Sequence, residues 1–232
     1  MTVLEVHPVI GMGEIGQGDD LAGLIVQAIT ENGWNLEDKD IVVVTHKVVS
    51  KQEGRIVDVP DEATYRALVE DEAARIVRRR GDLVIAQTRH GFICANAAVD
   101  RSNIADGFAL LLPEDPDRSA HRLRTRIERA TGTSIGVVIT DTFGRPWRRG
   151  LVDVAIGVSG VPAIIDLRGT TDAHGNELNV TEIAVVDEIA AAADLVMGKA
   201  AQVPVAVVRG LDLRGSGRAT DLVRPPDEDL FR

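Results

Sequence analysis

Apolar positions along the chain fall into two periods, and their alternation predicts a succession of strands and helices. Val3–Val9 reads as a short strand, followed by an irregular loop from Gly11 to Asp20 with glycines at 11, 13, 16 and 18. Asp19 or Asp20 is placed to cap a helix through LAGLIVQAITEN, where Leu21, Leu24, Ile25 and Ile29 share a face and Gly33 gives the stop. Ile41–Thr45 is an unbroken β-branched run, the pattern of a strand covered on both faces. Glu62–Arg80 carries helical spacing and ends in arginines, which favour a helix C-terminus. Leu83–Thr88, Ile135–Thr140, Val152–Val158 and Val203–Val208 are further strand candidates, and His121–Ala130 a helix. Thr181 is placed to cap a helix through EIAVVDEIAAAADLVMG that ends at Gly198. The segment RGLDLRGSGRATDLVRPPDEDLF reads as an irregular tail. No repeat and no flexible linker interrupts this order, so residues 1–232 read as one unit of mixed helices and sheets.

Composition narrows the function classes. A hydrophobic share of 44% with only 3% aromatic residues describes a packed α/β or α+β protein. The net charge of −10 works against nonspecific nucleic-acid binding and against an anionic membrane surface. An anionic small molecule stays compatible if metals or local cations neutralise it. One cysteine, Cys94, excludes an internal disulfide and makes a reducing cytoplasm the default. The N-terminus has no export pattern, and no segment reaches the roughly 20 apolar residues needed to span a bilayer.

Three segments could carry chemistry. In TDTFGRPWRRG (140–150), Asp141 and Thr142 offer hard oxygens for a divalent cation, Gly144 permits a turn, and Arg145, Arg148 and Arg149 add positive charge; a turn-capping Asp and solvated arginines are the bland alternative. In AVDRSN (98–103), Asp100 could add a metal oxygen and Asn103 could bond a nucleotide or sugar, with a ligand-free Asx-turn as the alternative. Two carboxylates and a hydroxyl suit Mg²⁺ or Mn²⁺ rather than zinc. In VVVTHKVVSKQEGR (42–55), a buried strand delivers Thr45, His46, Lys47, Ser50 and Lys51 to one neighbourhood, although solvent-facing lysines are the commoner outcome. Neither this segment nor IGMGEIGQGDD fits a P-loop or a GxGxxG dinucleotide fingerprint. The five histidines show no paired metal spacing, and Cys94 reads as a core cysteine.

In order, HPVIGMGEIGQGDDL, DIVVVTHKVVSKQEGR, LVEDEAARIVRR, GFICANAAVDRSN, VVITDTFGRPWRRG, DAHGNELNVTEIAVVDEIAAAADLVMGK and VPVAVVRG resemble the coenzyme F420-0:L-glutamate ligase family from about residue 6 to residue 210. The resemblance is closest to the N-terminal ligase portion of the actinobacterial bifunctional enzymes, whose nitroreductase-like flavin domain is not expected here. It implies an α+β fold in two interwoven lobes, a homodimer with the site near the subunit interface, and a GTP-dependent addition of one or more glutamates to F420-0. Mg²⁺ or Mn²⁺ is implied, with a monovalent cation such as K⁺ and without flavin.

Carried over residue by residue, the resemblance implies nucleotide contacts at Met12, Gly13, Glu14, Ile15, Thr45, His46, Lys51 and Asn103. It implies more from the loop of Met197, Gly198, Lys199, Ala200, Ala201, Gln202, Val203 and Pro204. Asp100 and Asp141 match ligands of one metal, Thr142 matches a ligand of a second, and Lys51 with Asp141 carries the electrostatic burden of catalysis. Two positions depart from the family pattern. His46 replaces a small hydroxyl residue, and Lys199 stands where archaeal relatives offer a side-chain oxygen, which an ammonium cannot replace as a ligand. A metal-dependent nucleotide hydrolase and a nucleotide-responsive binding protein are the competing readings.

Overall fold

The computed structural model describes residues 3–199 and 201–229. Its principal layer is a five-stranded sheet built from β1 (Glu5–Pro8), β2 (Ile41–Thr45), β8 (Gly136–Arg145), β9 (Arg148–Ser159) and β12 (Val205–Arg209), in the order β1-β12-β2-β8-β9. Only β2 and β8 run parallel; the other neighbours are antiparallel. Ile41 to Val44 and Val137 to Ile139 are fully buried, so both faces of the central strands are covered, which is why these segments are unbroken apolar runs. Each such aliphatic side chain contributes roughly 1.5–3 kcal/mol on burial. The helices α1 (Leu21–Glu31), α4 (Pro116–Thr131) and α5 (Val185–Met197) supply the cover: α4 packs on β8 and β9, α1 on α4, and α5 on β9, β12 and β1. Arg209 forks onto buried Asp40 at 2.6 and 2.8 Å, fastening the end of β12 to the start of β2.

A second, smaller hydrophobic cluster forms from Val59, Val69, Val84, Ala86, Ala97, Val99, Ala109 and Leu111. Around it lie β3 (Ile56–Asp58) paired with β7 (Phe108–Leu110), the sheet of β4 (Ala73–Arg80), β5 (Leu83–Thr88) and β6 (Ile93–Ala95), and α3 (Glu62–Glu72). The chain leaves the large cluster after the short helix α2 (His46–Gln52) and returns before α4, and Arg55 joins the two crossings through Leu111 N–H and the Leu112 carbonyl. The remaining strands, β10 (Ile165–Asp166) and β11 (Glu182–Ile183), pair with each other. The whole is a mixed α+β arrangement, as expected from the sequence.

Several boundaries differ from expectation, each for a physical reason. The helix expected over Glu62–Arg80 stops at Glu72, and Ala73–Arg80 is instead an edge strand against β5. Ile76 and Val77 are β-branched, and Ile76 pairs with Ala86 of β5 while Val77 falls at a shift in the ladder's register. The arginines therefore line a sheet edge, where their charge discourages pairing with another chain. Thr181 does not cap α5: the helix begins at Val185 after Ala184, residues Glu182 and Ile183 pair with β10, and Asp187 and Glu188 complement the helix start by charge. Gly198 does end it, with φ of 54°. Gly144 makes no turn, lying in β8 opposite Leu151; the chain reverses at Pro146–Trp147, where Trp147 takes φ of 62°. Helix α4 starts at Pro116 rather than His121, because Pro fits the first helical position and Asp115 caps it through Arg118 N–H.

Candidate functional site

Segments from along much of the chain converge on one cavity of about 850 Å³. The loop after β1 is fixed at its start, where Asn32 at the end of α1 accepts from Ile10 N–H (3.0 Å) and donates to the Ile10 carbonyl (2.9 Å). Asp19 holds its far end by accepting from Gly16 N–H at 2.7 Å. Between these anchors Met12, Gly13, Glu14 and Ile15 line the cavity. The loop before β12 contributes Gly198, Lys199, Gln202, Val203 and Pro204 from the other side. Because β1 pairs with β12, two loops nearly two hundred residues apart in sequence become neighbours.

Helix α2 follows β2 directly, and its period explains the placement of the polar cluster. Lys47 and Lys51 are one turn apart and both line the cavity. Lys51 Nζ lies 3.0 Å from Glu14, while Lys47 Nζ lies 2.8 Å from Asp100 Oδ2 and also bonds Ser102 Oγ. Ser102 donates to Asp100 from N–H (2.7 Å) and hydroxyl (3.0 Å). Burial works against the Asp100 carboxylate, yet the Lys47 and Ser102 bonds outweigh it and hold its pKa below the ordinary value. Asn103 lines the cavity with Ile104 and Ala105.

On the other helix face, His46 and Ser50 are also one turn apart, with His46 Nδ1 3.3 Å from Ser50 Oγ. His46 has no exposed surface and does not line the cavity; its Nε2 stands 3.3 Å from Asp141 Oδ1. That contact is close enough for an ion pair but not aligned as a hydrogen bond, and Nε2 is left without an aligned partner among the described residues. The imidazole expected beside nucleotide therefore sits behind Asp141. Asp141 in turn accepts from Thr142 N–H at 2.7 Å. Burial first, and then the Asp141 charge, push the Cys94 thiol up to about 12, so Cys94 is a core residue and no nucleophile.

Thr142 lines the cavity opposite Asp153, which accepts its hydroxyl at 2.6 Å and that of Thr140 at 2.9 Å. Asp194 of α5 lines the same wall; burial, then the neighbouring Asp153 charge, raise its pKa, and Lys199 opposes them.

Of the residues singled out in the sequence, the 12–15 loop, Thr45, Lys51, Asn103, Thr142 and most of the 198–204 loop line the cavity. Asp100 and Asp141 lie just behind that lining, each against a residue of α2. Met197 is a buried core residue, Ala201 is exposed without lining the cavity, and Ala200 lies outside the described residues. Arg145, Arg148 and Arg149 do not line the cavity; they sit at the exposed end of the β8–β9 hairpin, where Arg145 donates to the Arg149 carbonyl. Lys47, named in the sequence beside Lys51, lines the cavity too, whereas Asp153 and Asp194 were missed. Asp153 could have been found, because the hairpin register that follows from β8 and β9 puts it opposite Thr142.

Among the described residues no three His, Cys, Asp or Glu side chains converge to hold a metal. The Thr142 hydroxyl on the cavity wall, with the Asp100 and Asp141 carboxylates just behind the lining, fits a cation that takes its remaining oxygens from water and substrate phosphate, as Mg²⁺ and Mn²⁺ do. Among the described residues no helix is long and apolar enough to cross a membrane.

A family model described as F420-0:Gamma-glutamyl ligase matches residues 9–210, which takes in every segment of the cavity. The chain is 43% identical over 242 residues to the coenzyme F420:L-glutamate ligase of Methanothermobacter thermautotrophicus, covering 96% of each. It is 40% identical to the protein of the same name from Methanopyrus kandleri, over 100% of this chain and 99% of the relative. With the corresponding ligase of Archaeoglobus fulgidus it shares 41% identity over 99% of this chain and 96% of the relative. Match length and identity together place the chain in the F420-0:gamma-glutamyl ligase family.

Proposed function

We propose that this protein joins L-glutamate to coenzyme F420-0 through an amide bond in F420 biosynthesis, using GTP and releasing GDP and phosphate. The observation that carries the reading is the convergence of the 12–15 loop, Lys51, Asn103, Thr142 and the 198–204 loop on one cavity, in a chain of this family. A carboxylate has no good leaving group, so its oxygen first takes the γ-phosphoryl group of GTP, with GDP departing. The glutamate amine then attacks the acyl carbon, loses a proton, and phosphate leaves.

The chain's own residues would serve this sequence by position and charge. Lys47, Lys51 and Lys199 bring ammonium groups to the cavity wall, where they offset polyphosphate charge that the acidic protein as a whole would repel. The backbone of the 12–15 and 198–204 loops would hold the nucleotide, with Asn103 as a side-chain partner. Asp100, Asp141 and Thr142 would hold the divalent cations, which supply Lewis-acid neutralisation of the transferring phosphoryl group when bound. A homodimer and a supporting monovalent cation belong to the same proposal.

Mass spectrometry of F420-0 incubated with the protein, GTP, L-glutamate and Mg²⁺ or Mn²⁺ tests it, with GDP measured in parallel. Glutamate mass additions coupled to GDP are expected. GDP release without either acceptor would make the protein a hydrolase, and nucleotide binding without turnover a sensor. Light scattering of the same preparation tests the dimer.

A further inference from the structure

Asp153 sits on β9 directly opposite Thr142 of β8 and is only 5% exposed. Its two oxygens take different hydroxyls: Oδ1 accepts from Thr142 at 2.6 Å and Oδ2 from Thr140 at 2.9 Å. Thr140 is fully buried and Thr142 borders the cavity, so the carboxylate is clamped between a rigid partner behind it and a reactive-facing partner in front.

The consequence follows from the donor inventory. A hydroxyl has one proton and two lone pairs, whereas an ionised carboxylate can only accept. Both threonine protons must therefore point at Asp153, which turns the free acceptor capacity of the Thr142 oxygen away from the carboxylate. An oxygen so oriented suits a cation; it cannot donate its proton to a phosphate oxygen while Asp153 holds that proton.

We propose that Asp153 is a positioning residue that fixes the Thr142 hydroxyl as an acceptor-only ligand for a divalent cation, with Thr140 locking the carboxylate in place. This rests on the reading of Thr142 as cation-facing given above. Asp153→Asn probes it with little change of volume. One carboxylate oxygen becomes an amide NH₂, which must donate to one of the two threonines, so that hydroxyl spends a lone pair on the amide and frees its proton.

The test is Mn²⁺ binding to the purified protein with a non-hydrolysable GTP analogue, read by electron paramagnetic resonance of free Mn²⁺, beside turnover as a function of Mn²⁺. Asp153→Asn is expected to weaken Mn²⁺ binding about tenfold and to regain most of its maximal turnover at high Mn²⁺. Thr142→Val should weaken binding at least as much, and the double variant should add nothing to Thr142→Val alone. Weakened Mn²⁺ binding in Thr142→Val with wild-type binding in both Asp153→Asn and Asp153→Ala, which frees the Thr142 proton whichever way an amide would turn, would overturn the role of Asp153 while leaving Thr142 a ligand. Wild-type binding in Thr142→Val would overturn the ligand reading itself, and the proposal with it. Should Asp153→Asn fail to fold, Thr140→Val carries the test: it unlocks the carboxylate without touching the cavity, a weaker Mn²⁺ response supports the proposal, and an unchanged one overturns it.

Discussion

Lys47 Nζ and Asp100 Oδ2 lie 2.8 Å apart, with the two side chains only 18% and 25% exposed. The pair has a pH signature. Asp100 is held below its ordinary pKa of 3.8, so the stability it contributes is present above that value and is lost as pH falls through the lower folded value. Lys47→Met removes the main opposing influence and leaves burial, which raises the pKa, against the two Ser102 bonds alone. The variant should be about 1–2 kcal/mol less stable than wild type at pH 7, with the gap closing below about pH 4. Urea denaturation across that range reads it, and a gap independent of pH would remove Asp100 from the explanation.

Asp141→Asn keeps the size of the side chain and loses its charge. Turnover should fall about a hundredfold or more while the melting temperature stays near wild type. Near-normal GDP formation at limiting metal would take Asp141 out of the site.

Lys199 opposes the raised pKa of Asp194 across the cavity wall. Lys199→Gln should weaken nucleotide binding at low metal and partly recover turnover as Mn²⁺ rises, because an amide oxygen can join a metal shell and an ammonium cannot. Identical nucleotide affinity and metal dependence in variant and wild type would show that Lys199 points away from the nucleotide.

Cys94, with its thiol pushed up to about 12, is almost entirely protonated at pH 8. Iodoacetamide should leave the folded protein unlabelled for hours and modify it rapidly in denaturant. Fast labelling without denaturant would place the thiol at the surface.

At Gly157 an added Cβ would come within 2.4 Å of the Pro116 carbonyl oxygen, a backbone atom at the start of α4. Gly157→Ala should therefore separate α4 from β9 and cost about 1–3 kcal/mol, measurable by chemical denaturation. A wild-type midpoint would mean that α4 is free to shift at its first turn.

Where the sequence was legible, one residue type had one plausible environment. The unbroken run Ile41–Thr45 demanded cover on both faces and has it, and Asp20 caps α1 through Gly23 N–H as its place before an apolar period implies. Legibility failed where a segment satisfied two patterns at once. Ala73–Arg80 has helical spacing in sequence, but the free edge of β5 decides its state, and that edge is invisible in a local window. The site divides in the same way. Lys51 and Thr142 carry chemistry in their own side chains and could be named. Asp153 acquires its role only from the hydroxyls placed opposite by the hairpin, and His46 only from lying behind Asp141.

The pairing of β1 with β12 also orders events in time. A chain emerging from the ribosome makes the 12–15 loop nearly two hundred residues before the 198–204 loop that faces it and the strand that seats it. Until Arg209 has been made and has closed on Asp40, no partner exists for the first strand, so an unfinished chain has no complete cavity in which to hold a nucleotide. Competence to bind thus arrives in one late step, and a truncation that removes only the last strand should abolish it as fully as a change among the lysines.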